Sequence, residues 1–408
     1  MAQVNGEAGR GHLRVLLVTE TFVPSVDGVV TRLTHLVEHL IAEGHEVEII
    51  APGLGVDEYE VASDPDNKHQ SKRAPVHGAR TVRVPFYPSR PWSPPTPSTY
   101  RLTERVVRDF RPDVIHAAQP ILLGQAAVRA ARRHRIPLVA SYHTNLPAYL
   151  SRYRAWAWSA PIITWATRRL HREATFNVVT SEAMREQART MGLERVEVVR
   201  RAVDTQLFHP GKGPTPAPPH DSHNRRLRLL FVGRLAAEKD LSRLAPLMRC
   251  RDDLELTLVG EGPHRADLER EFRGTRTRFT GVLQGEELAR AYRAHDLFVF
   301  PSVTETLGLV LLEAMASGLP PLAARSGPTL EQIVDGETGF VFRDQHELER
   351  ILDTLMGESG AALRARVGES ARREAERHTW AAASEDFVSL YRRAIESAEA
   401  RIRSWPRK

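Results

Sequence analysis

Two glutamates, Glu305 and Glu313, stand eight residues apart in the segment that follows Phe300. We expect a helix to begin near Gly308, which leaves Glu305 in the preceding loop and Glu313 on the first turns of the helix. Such a pair of carboxylates can accept hydrogen bonds from sugar or ribose hydroxyls, and the backbone amides at the helix start suit a phosphate. The alternative is that Glu313 lies on the solvent-exposed face of an amphipathic helix.

Two cations, Arg234 and Lys239, follow the apolar run that ends at Val232. A planar guanidinium and an ammonium near a helix start can converge on a polyanion. Only five of the 57 lysines and arginines are lysines, and Lys239 is the one that falls within the folded pattern rather than in a predicted loop, a linker or the last position. This usage favours a functional Lys239, whereas a solvated surface charge is the alternative.

Two further positions lie where an apolar run ends. Gly28 stands just before a predicted helix, where a glycine lets the backbone approach a phosphate, although a glycine that simply makes the turn explains it equally well. His143 follows a strand and has polar neighbours, so it can contact a substrate hydroxyl or carry a proton. We favour His143 over His116, which also lies near a strand end, and a structural histidine is the alternative for both.

The composition and the missing motifs exclude several classes of protein. A hydrophobic fraction of 41%, a charged fraction of 26% and a net charge of +6 argue against disordered, collagen-like and coiled-coil chains. One cysteine, Cys250, cannot form an intrachain disulfide or a multi-thiolate metal site. The acidic pair Asp64 and Asp66 lies in a polar loop with no strand before it, so we expect no metal in the site. Phosphate-binding loops of the NTPase type and the nucleophile elbow of serine hydrolases are absent.

The elements that must position these residues alternate along the chain as short apolar runs and amphipathic helices. This rhythm predicts parallel sheets covered on both faces by helices. The predicted strands are Leu13–Val18, Val47–Ala51, Val114–His116, Leu138–Ser141, Asn177–Thr180, Leu227–Val232, Leu254–Val259, Arg278–Thr280, Leu297–Phe300 and Pro321–Ala324. In open parallel sheets ligands bind beyond the carboxyl ends of the strands, where the candidate residues fall.

The rhythm is interrupted once, over residues 209–226, where proline, glycine and charge dominate as in a linker. We therefore expect two doubly wound α/β domains of similar size, over residues 12–208 and 227–378. The last segment, residues 379–404, has apolar residues at helical spacing and no strand after it. Two stretches, residues 53–80 and 85–97, read as loops.

Taken together, these motifs resemble the retaining nucleotide-sugar glycosyltransferases of the two-domain GT-B type, specifically family 4, including bacterial mannosyl- and glucosyltransferases and sulfolipid synthase-like members. The segment TETLGLVLLEAMASG carries the Glu-x7-Glu motif of that family as Glu305 and Glu313. Val232-Gly233-Arg234 with Glu238-Lys239 is similar to its diphosphate-binding segment. The resemblance extends from Leu13 to about Tyr391 and implies two Rossmann-like domains with a C-terminal helix that crosses back to the N-terminal domain.

The resemblance also implies roles for individual residues. Arg234 and Lys239 would hold the donor diphosphate, with Gly28 contacting it from the other domain. Glu313 would bind the nucleotide ribose, and His143 would lie near the transferred sugar. The donor-binding set implied in this way is Gly28, Gly233, Arg234, Lys239, Val282, Leu283, Glu305, Thr306, Leu307, Gly308, Leu309 and Glu313, and the catalytic set is His143, Glu305, Arg234 and Lys239.

The function implied is transfer of a hexosyl unit from GDP-mannose or a UDP-sugar to an acceptor hydroxyl, with retention of the anomeric configuration and without a metal or another cofactor. The acceptor is a glycolipid or, alternatively, a soluble small molecule. A non-catalytic sugar-nucleotide binder and a nucleic-acid binder are the competing interpretations, and the second fits poorly because basic and acidic residues are interspersed.

The surroundings of the protein are inferred from apolar and basic patterning. No apolar stretch approaches the ~20 residues that a membrane span requires, and residues 1–11 lack the apolar region of a signal peptide. We therefore expect a cytoplasmic protein. Residues 149–170 mix tryptophan with arginine, a pattern that suits peripheral association with the inner face of the membrane, although aromatic core packing with arginine at its edge is an equal alternative.

Overall fold

The computed structural model describes residues 11–25, 27–61, 73–82, 92–142, 160–211, 226–303 and 308–403. Within them the chain folds around two sheets, one before and one after residue 211. The predicted linker lies mostly outside them, since only residues 209–211 and 226 of it are described.

The first sheet is mostly parallel. Its strands among the described residues are β1 (Arg14–Thr19), β2 (Glu46–Pro52), β3 (Glu58–Glu60), β4 (Arg73–Ala79), β5 (Val114–Ala118), β6 (Leu138–Ser141), β7 (Phe176–Val179) and β8 (Val196–Val198). They lie in the order β3-β4-β2-β1-β5-β6-β7-β8, and β3 alone pairs antiparallel, with β4. The associated helices are α1 (Gly28–Ala42), α2 (Pro97–Phe110), α3 (Gly124–His134), α4 (Ala160–Arg172) and α5 (Glu182–Thr190).

Both faces of this sheet are buried. Because side chains alternate along each strand, successive residues pack on opposite faces. In β1, Val15 and Leu17 pack into one apolar cluster, whereas Leu16 and Val18 pack into the cluster on the opposite face. Strands buried on two sides read as continuous apolar runs, which is why β1 was recognisable from its composition.

The second sheet is parallel throughout the described residues, in the order β11-β10-β9-β12-β13-β14. Its strands are β9 (Leu227–Val232), β10 (Leu254–Val259), β11 (Thr277–Gly281), β12 (Leu297–Phe300), β13 (Pro321–Ala324) and β14 (Phe340–Phe342). The helices of this half are α6 (Ala245–Cys250), α7 (Arg265–Glu271), α8 (Gly285–Arg293), α9 (Leu309–Ala316), α10 (Gly327–Leu330), α11 (Gln345–Thr354) and α12 (Gly357–Ala375).

The last helix, α13 (Trp380–Arg403), returns to the first half of the chain. Its residues Phe387, Leu390 and Tyr391 are buried in the apolar cluster that also holds Leu33 of α1 and Val15 of β1. The fold class predicted from the sequence is therefore confirmed: two doubly wound α/β units and a C-terminal helix that packs on the first of them.

Part of the segment interpreted as a polar loop, residues 53–80, forms the edge strand β3 and its neighbour β4, so that interpretation was wrong for these residues. Ala74, Val76 and Ala79 of β4 are buried, but the strand carries too few apolar residues to resemble the central ones. Its place in the sheet depends on pairing with β2 and β3 rather than on its own hydrophobicity.

Candidate active site

The carboxyl ends of β9 and β10 approach each other through two glycine loops. Gly233 has a φ of +152° and Gly260 a φ of +133°, conformations that residues with side chains rarely adopt. A Cβ on Gly260 would collide with the Gly233 carbonyl oxygen. Glycine is therefore favoured at both positions, and its lack of a side chain lets the two loops approach each other closely.

A short 3₁₀ turn, Ala237–Lys239, follows β9. Lys239 is its last residue, and Arg234 lies between β9 and the turn. The Arg234 guanidinium lies 2.5 Å from the carboxylate of the buried Glu238, and Lys239 Nζ lies 5.7 Å from the centre of the Phe300 ring. The Ser302 hydroxyl donates to the Glu238 carbonyl at 3.0 Å, which ties the loop after β12 to the turn. The structure thus brings both predicted cations to the carboxyl edge of the second sheet.

Helix α9 begins after Gly308, whose φ of +62° makes it a left-handed cap. A Cβ built on Gly308 would lie 2.5 Å from the Nε2 of Gln332, a buried residue that the sequence analysis did not single out. The Gln332 Oε1 atom is buried and accepts no hydrogen bond in the part of the chain that the structure describes. No pattern in the sequence marks Gln332, since its position depends on how α10 packs beside α9.

Glu313 lies on α9 among buried apolar residues, and its carboxylate accepts a hydrogen bond of 2.7 Å from the Tyr292 hydroxyl. Burial raises the pKa of Glu313 from its ordinary value of 4.5 to about 7, and the bond from Tyr292 opposes that rise. Glu313 is half-buried and its carboxylate is bonded to Tyr292, which disfavours the alternative of a freely solvated carboxylate. Tyr292 was missed because it lies on α8, and nothing in the sequence pairs it with Glu313.

Gly28 is the first residue of α1, which Asp27 caps. The Asp27 carboxylate accepts hydrogen bonds from the Val29 and Val30 amides at 2.9 and 3.0 Å, and it lies 3.2 Å from the Thr21 hydroxyl. Those two amides are consequently engaged within the protein.

Glu20, which the sequence analysis missed, lies just beyond the carboxyl end of β1. Its Oε1 atom accepts hydrogen bonds from the backbone amides of Ile121, Leu122 and Gly124 at 2.8 to 3.1 Å. Burial raises the pKa of Glu20, and these amides oppose the rise. A carboxylate directly after a strand was the available signal, the same one that directed attention to the other loops.

His116 is fully buried within β5 and has partners at both ring nitrogens. Nδ1 lies 2.7 Å from the Tyr391 hydroxyl and Nε2 lies 2.6 Å from Ser141 Oγ. Burial, together with the nearby Arg32 guanidinium, lowers the pKa of His116 to about 3. His116 is therefore a neutral structural residue that joins α13 to the first sheet.

The other candidates are distributed as follows. Leu309 is the first residue of α9, Val282 is 53% exposed just after β11, and Leu283 is partly buried against the second core. His143, Glu305, Thr306 and Leu307 lie outside the described residues. Among the residues that are described, no group of three or more His, Cys, Asp or Glu side chains could hold a metal ion, and no helix is long and apolar enough to cross a membrane.

Two family descriptions match this chain. Residues 26–207 match Glycosyltransferase Family 4, and residues 217–374 match Glycosyl transferases group 1.

Curated relatives span most of the chain. It is 33% identical to the GDP-mannose-dependent alpha-mannosyltransferase of Mycolicibacterium smegmatis, over 95% of this chain and 100% of that one. It is 36% identical to a protein of the same name from Corynebacterium glutamicum, over 81% and 76% of the two chains. It is 33% identical to the sulfoquinovosyl transferase SQD2 of Arabidopsis thaliana, over 88% and 69%.

Solved structures share the fold at low sequence identity. Sucrose-phosphate synthase from Thermosynechococcus elongatus superposes with a TM-score of 0.74 at 20% identity, over 95% of this chain and 100% of that one. Anabaena HepE, solved in complex with UDP and glucose, superposes with a TM-score of 0.70 at 18% identity, over 93% and 99%.

Proposed function

Since the chain belongs to glycosyltransferase family 4, we propose that it moves a hexosyl unit from a nucleotide-diphosphate sugar to an acceptor hydroxyl with retention of the anomeric configuration. The relatives named for GDP-mannose favour that donor, and a UDP-sugar is the second candidate. The observation that carries the proposal is the carboxyl edge of the second sheet, where two glycine loops, two cations and the half-buried Glu313 occur together.

The donor would be held across the cleft between the two sheets. We assign the diphosphate to Arg234 and Lys239, with the Gly233 and Gly28 backbones beside it, because cations and exposed amides both favour phosphate oxygens. Glu313 would accept hydrogen bonds from the ribose hydroxyls. The remaining assignments rest on the family motif: Glu305, Thr306, Leu307, Gly308 and Leu309 for the sugar, Val282 and Leu283 for the base, and His143 near the transferred sugar.

The cations would also do the chemical work of the reaction. As the glycosidic bond breaks, negative charge builds on the departing diphosphate, and preorganised cations stabilise it without a metal. No carboxylate in the proposed site is an evident nucleophile. We therefore propose that the acceptor hydroxyl attacks the face that the diphosphate leaves, and that a donor phosphate oxygen takes its proton.

The acceptor would bind to the first half of the chain, and a lipid acceptor is favoured by α4. Ile162 and Trp165 on this helix are 58% and 63% exposed, and the Arg169 guanidinium lies 5.8 Å from the Trp165 ring. An apolar tip followed by basic residues suits the interface of an anionic membrane. We propose a cytoplasmic enzyme that associates peripherally with the inner leaflet, and a soluble acceptor is the alternative.

This assignment divides the chain into an acceptor domain at residues 12–208, a linker at 209–226, a nucleotide-sugar domain at 227–378 and a returning helix at 379–404.

Sedimentation with anionic liposomes tests the proposed membrane association separately from the donor site. Binding that is lost in Trp165→Ser supports the lipid acceptor, and no sedimentation of the unaltered protein favours the soluble one.

The donor is tested by a thermal-shift panel of GDP-, UDP- and ADP-sugars, because a ligand that binds only the folded state raises its stability by about 2.7 kcal/mol at a hundred times Kd. We expect one nucleotide class to raise Tm selectively. The product of that donor should show a retained anomeric centre by NMR, and an inverted centre would contradict the proposed mechanism.

The site assignment is tested by Lys239→Ala, with Arg290→Ala as a control that removes one exposed cation from α8 in the same half of the chain. Loss of a preorganised group that stabilises developing charge typically lowers kcat about 100-fold. We expect a loss of that order for Lys239→Ala and none for Arg290→Ala. Unchanged turnover in Lys239→Ala and Glu305→Gln would contradict the site assignment. No turnover by the unaltered protein with any donor that it binds would favour a non-catalytic sugar-nucleotide binder.

A further inference from the structure

The N-terminus of α5 is capped by a side chain from the other half of the chain. Glu331, which directly follows α10, accepts hydrogen bonds from the Glu182 amide at 2.9 Å and the Ala183 amide at 2.6 Å. The helix also has a local cap, since the Ser181 hydroxyl accepts from the Met184 amide at 3.1 Å. Two of the amides that a helix start leaves without helical partners are thus satisfied by a side chain from the other half of the chain.

Electrostatic attraction, in addition to hydrogen bonding, favours the contact between Glu331 and α5. A carboxylate at the N-terminus of a helix interacts favourably with the helix dipole. The Arg201 guanidinium, on the crossover between the two sheets, is buried and lies 3.6 Å from the same carboxylate. The Glu331 carboxylate therefore lies at the junction of α5, α10 and the crossover.

The two halves also pack closely beside Glu331. A Cβ on Gly327, the first residue of α10, would lie 2.7 Å from the Cβ of Ala183, closer than real Cβ contacts come. The backbone of Gly327 is not left-handed, so glycine is required here by the close approach and not by its conformational freedom. The spacing of α10 and α5 is set by this contact.

The neighbouring residue faces the proposed donor site. Gln332 lies against Gly308, the cap of α9, while Glu331 lies against α5. The segment Ser326–Gln332 therefore has the helix of one half on one side and the start of α9 on the other. A shift of α5 relative to α10 would therefore change the packing of Gln332 against Gly308.

We propose that Glu331 is a positioning residue that fastens the nucleotide-sugar half of the molecule to α5 and so holds Gly308 and the donor cleft in their working arrangement. The fastening itself rests on the contacts of Glu331 and Gly327. Its effect on donor binding also rests on the proposed function, because the donor would be contacted from both halves.

The test compares Glu331→Ala and Gly327→Ala with Ser181→Ala in the full-length protein. Glu331→Ala removes the hydrogen bonds between the halves, whereas Gly327→Ala pushes the halves apart because its Cβ would collide with Ala183. Ser181→Ala is the matched control, because it removes a cap from the same helix without touching the other half. The first readout is the radius of gyration by small-angle X-ray scattering without ligand, and the second is the dissociation constant of GDP and of UDP by calorimetry.

We expect the radius of gyration to rise in Glu331→Ala and Gly327→Ala and to stay unchanged in Ser181→Ala. The nucleotide dissociation constant should rise about tenfold in the first two, the usual size of a coupling between a binding site and a distant contact. Glu331→Gln keeps one acceptor oxygen and should recover part of the loss.

An unchanged radius of gyration in Glu331→Ala and Gly327→Ala, or the same expansion in Ser181→Ala, would overturn the proposal, because Glu331 would then be a helix cap and nothing more. If the unaltered protein binds neither GDP nor UDP, the proposed donors are contradicted, and the scattering comparison still decides the role of Glu331.

Discussion

At the scale of single residues, Glu313 shows how a carboxylate can persist in an apolar helix. Burial without compensation is costly for a charged group, and one hydrogen bond from Tyr292 offsets only part of that cost. The carboxyl therefore keeps its proton to a higher pH than usual, with a pKa of about 7. A ribose whose hydroxyls donated hydrogen bonds to the Glu313 carboxylate would favour its ionised form.

The pKa of Glu313 predicts how stability depends on pH. Between its ordinary value of 4.5 and about 7, the folded state holds a proton that the unfolded state has released. The free energy of unfolding should therefore fall as pH rises through this window, by up to ~3 kcal/mol, and level off above it. Glu313→Gln should lack this fall.

Urea unfolding of both proteins, at several pH values across the window, measures the difference. Parallel pH profiles for the two proteins would contradict the assignment of the titration to Glu313. Tyr292→Phe should raise the pKa of Glu313 further, because it removes the donor that stabilises the carboxylate.

At the scale of elements, α3 depends on a distant residue for its first turn. Leu123, at its N-cap position, makes no side-chain hydrogen bond to the helix. Instead the Glu20 carboxylate accepts hydrogen bonds from the Leu122 and Gly124 amides. The helix start and the loop after β1 are consequently held as one unit. A sequence window that covers α3 alone contains no trace of this cap.

Glu20→Ala should lower the free energy of unfolding by about 2–4 kcal/mol, because three amides lose one charged acceptor. All three bonds reach Oε1, so Glu20→Gln keeps the required oxygen and should lose less. Denaturant midpoints measure both, and Glu186→Ala on the exposed surface of α5 serves as the control. Equal losses for the Ala and Gln variants would mean that the charge, and not the acceptor oxygen, is what matters.

At the scale of the whole molecule, α13 makes the two halves interdependent. It follows the second sheet along the chain but completes the core of the first, where Phe387 and Tyr391 are buried. The Val203 amide donates to the His378 carbonyl at 3.0 Å, so the two crossovers between the halves are bonded to each other. The first half cannot bury its apolar surface without the end of the chain.

Truncation after Thr379 should therefore destabilise the first half, although the cut lies far from it in sequence. We expect increased binding of a hydrophobic dye and loss of cooperative unfolding for the N-terminal core, because the surface covered by α13 becomes exposed. Truncation after Arg403 is the control and should unfold like the full chain. A cooperative, dye-silent product of the longer deletion would show that α13 is dispensable for that core.

The sequence by itself determined the parallel strands, because residues buried on both faces of a sheet leave short apolar runs such as residues 229–232. It also determined which loops carry candidate chemistry, since strand ends are readable once the strands are known. Arg234, Lys239 and Glu313 were identified in this way. The structure places Arg234 and Lys239 at the carboxyl edge of the second sheet and Glu313, half-buried, on α9.

Only the tertiary structure decided which groups meet. Tyr292 reaches Glu313 from another helix, Glu331 caps α5 from the other half of the molecule, and Gln332 packs on Gly308. Hydrogen bonds and close approaches act over a few ångströms in space between residues that lie far apart along the chain. Periodicity records only which face of its own element a residue occupies, and therefore it carries no information about these partners.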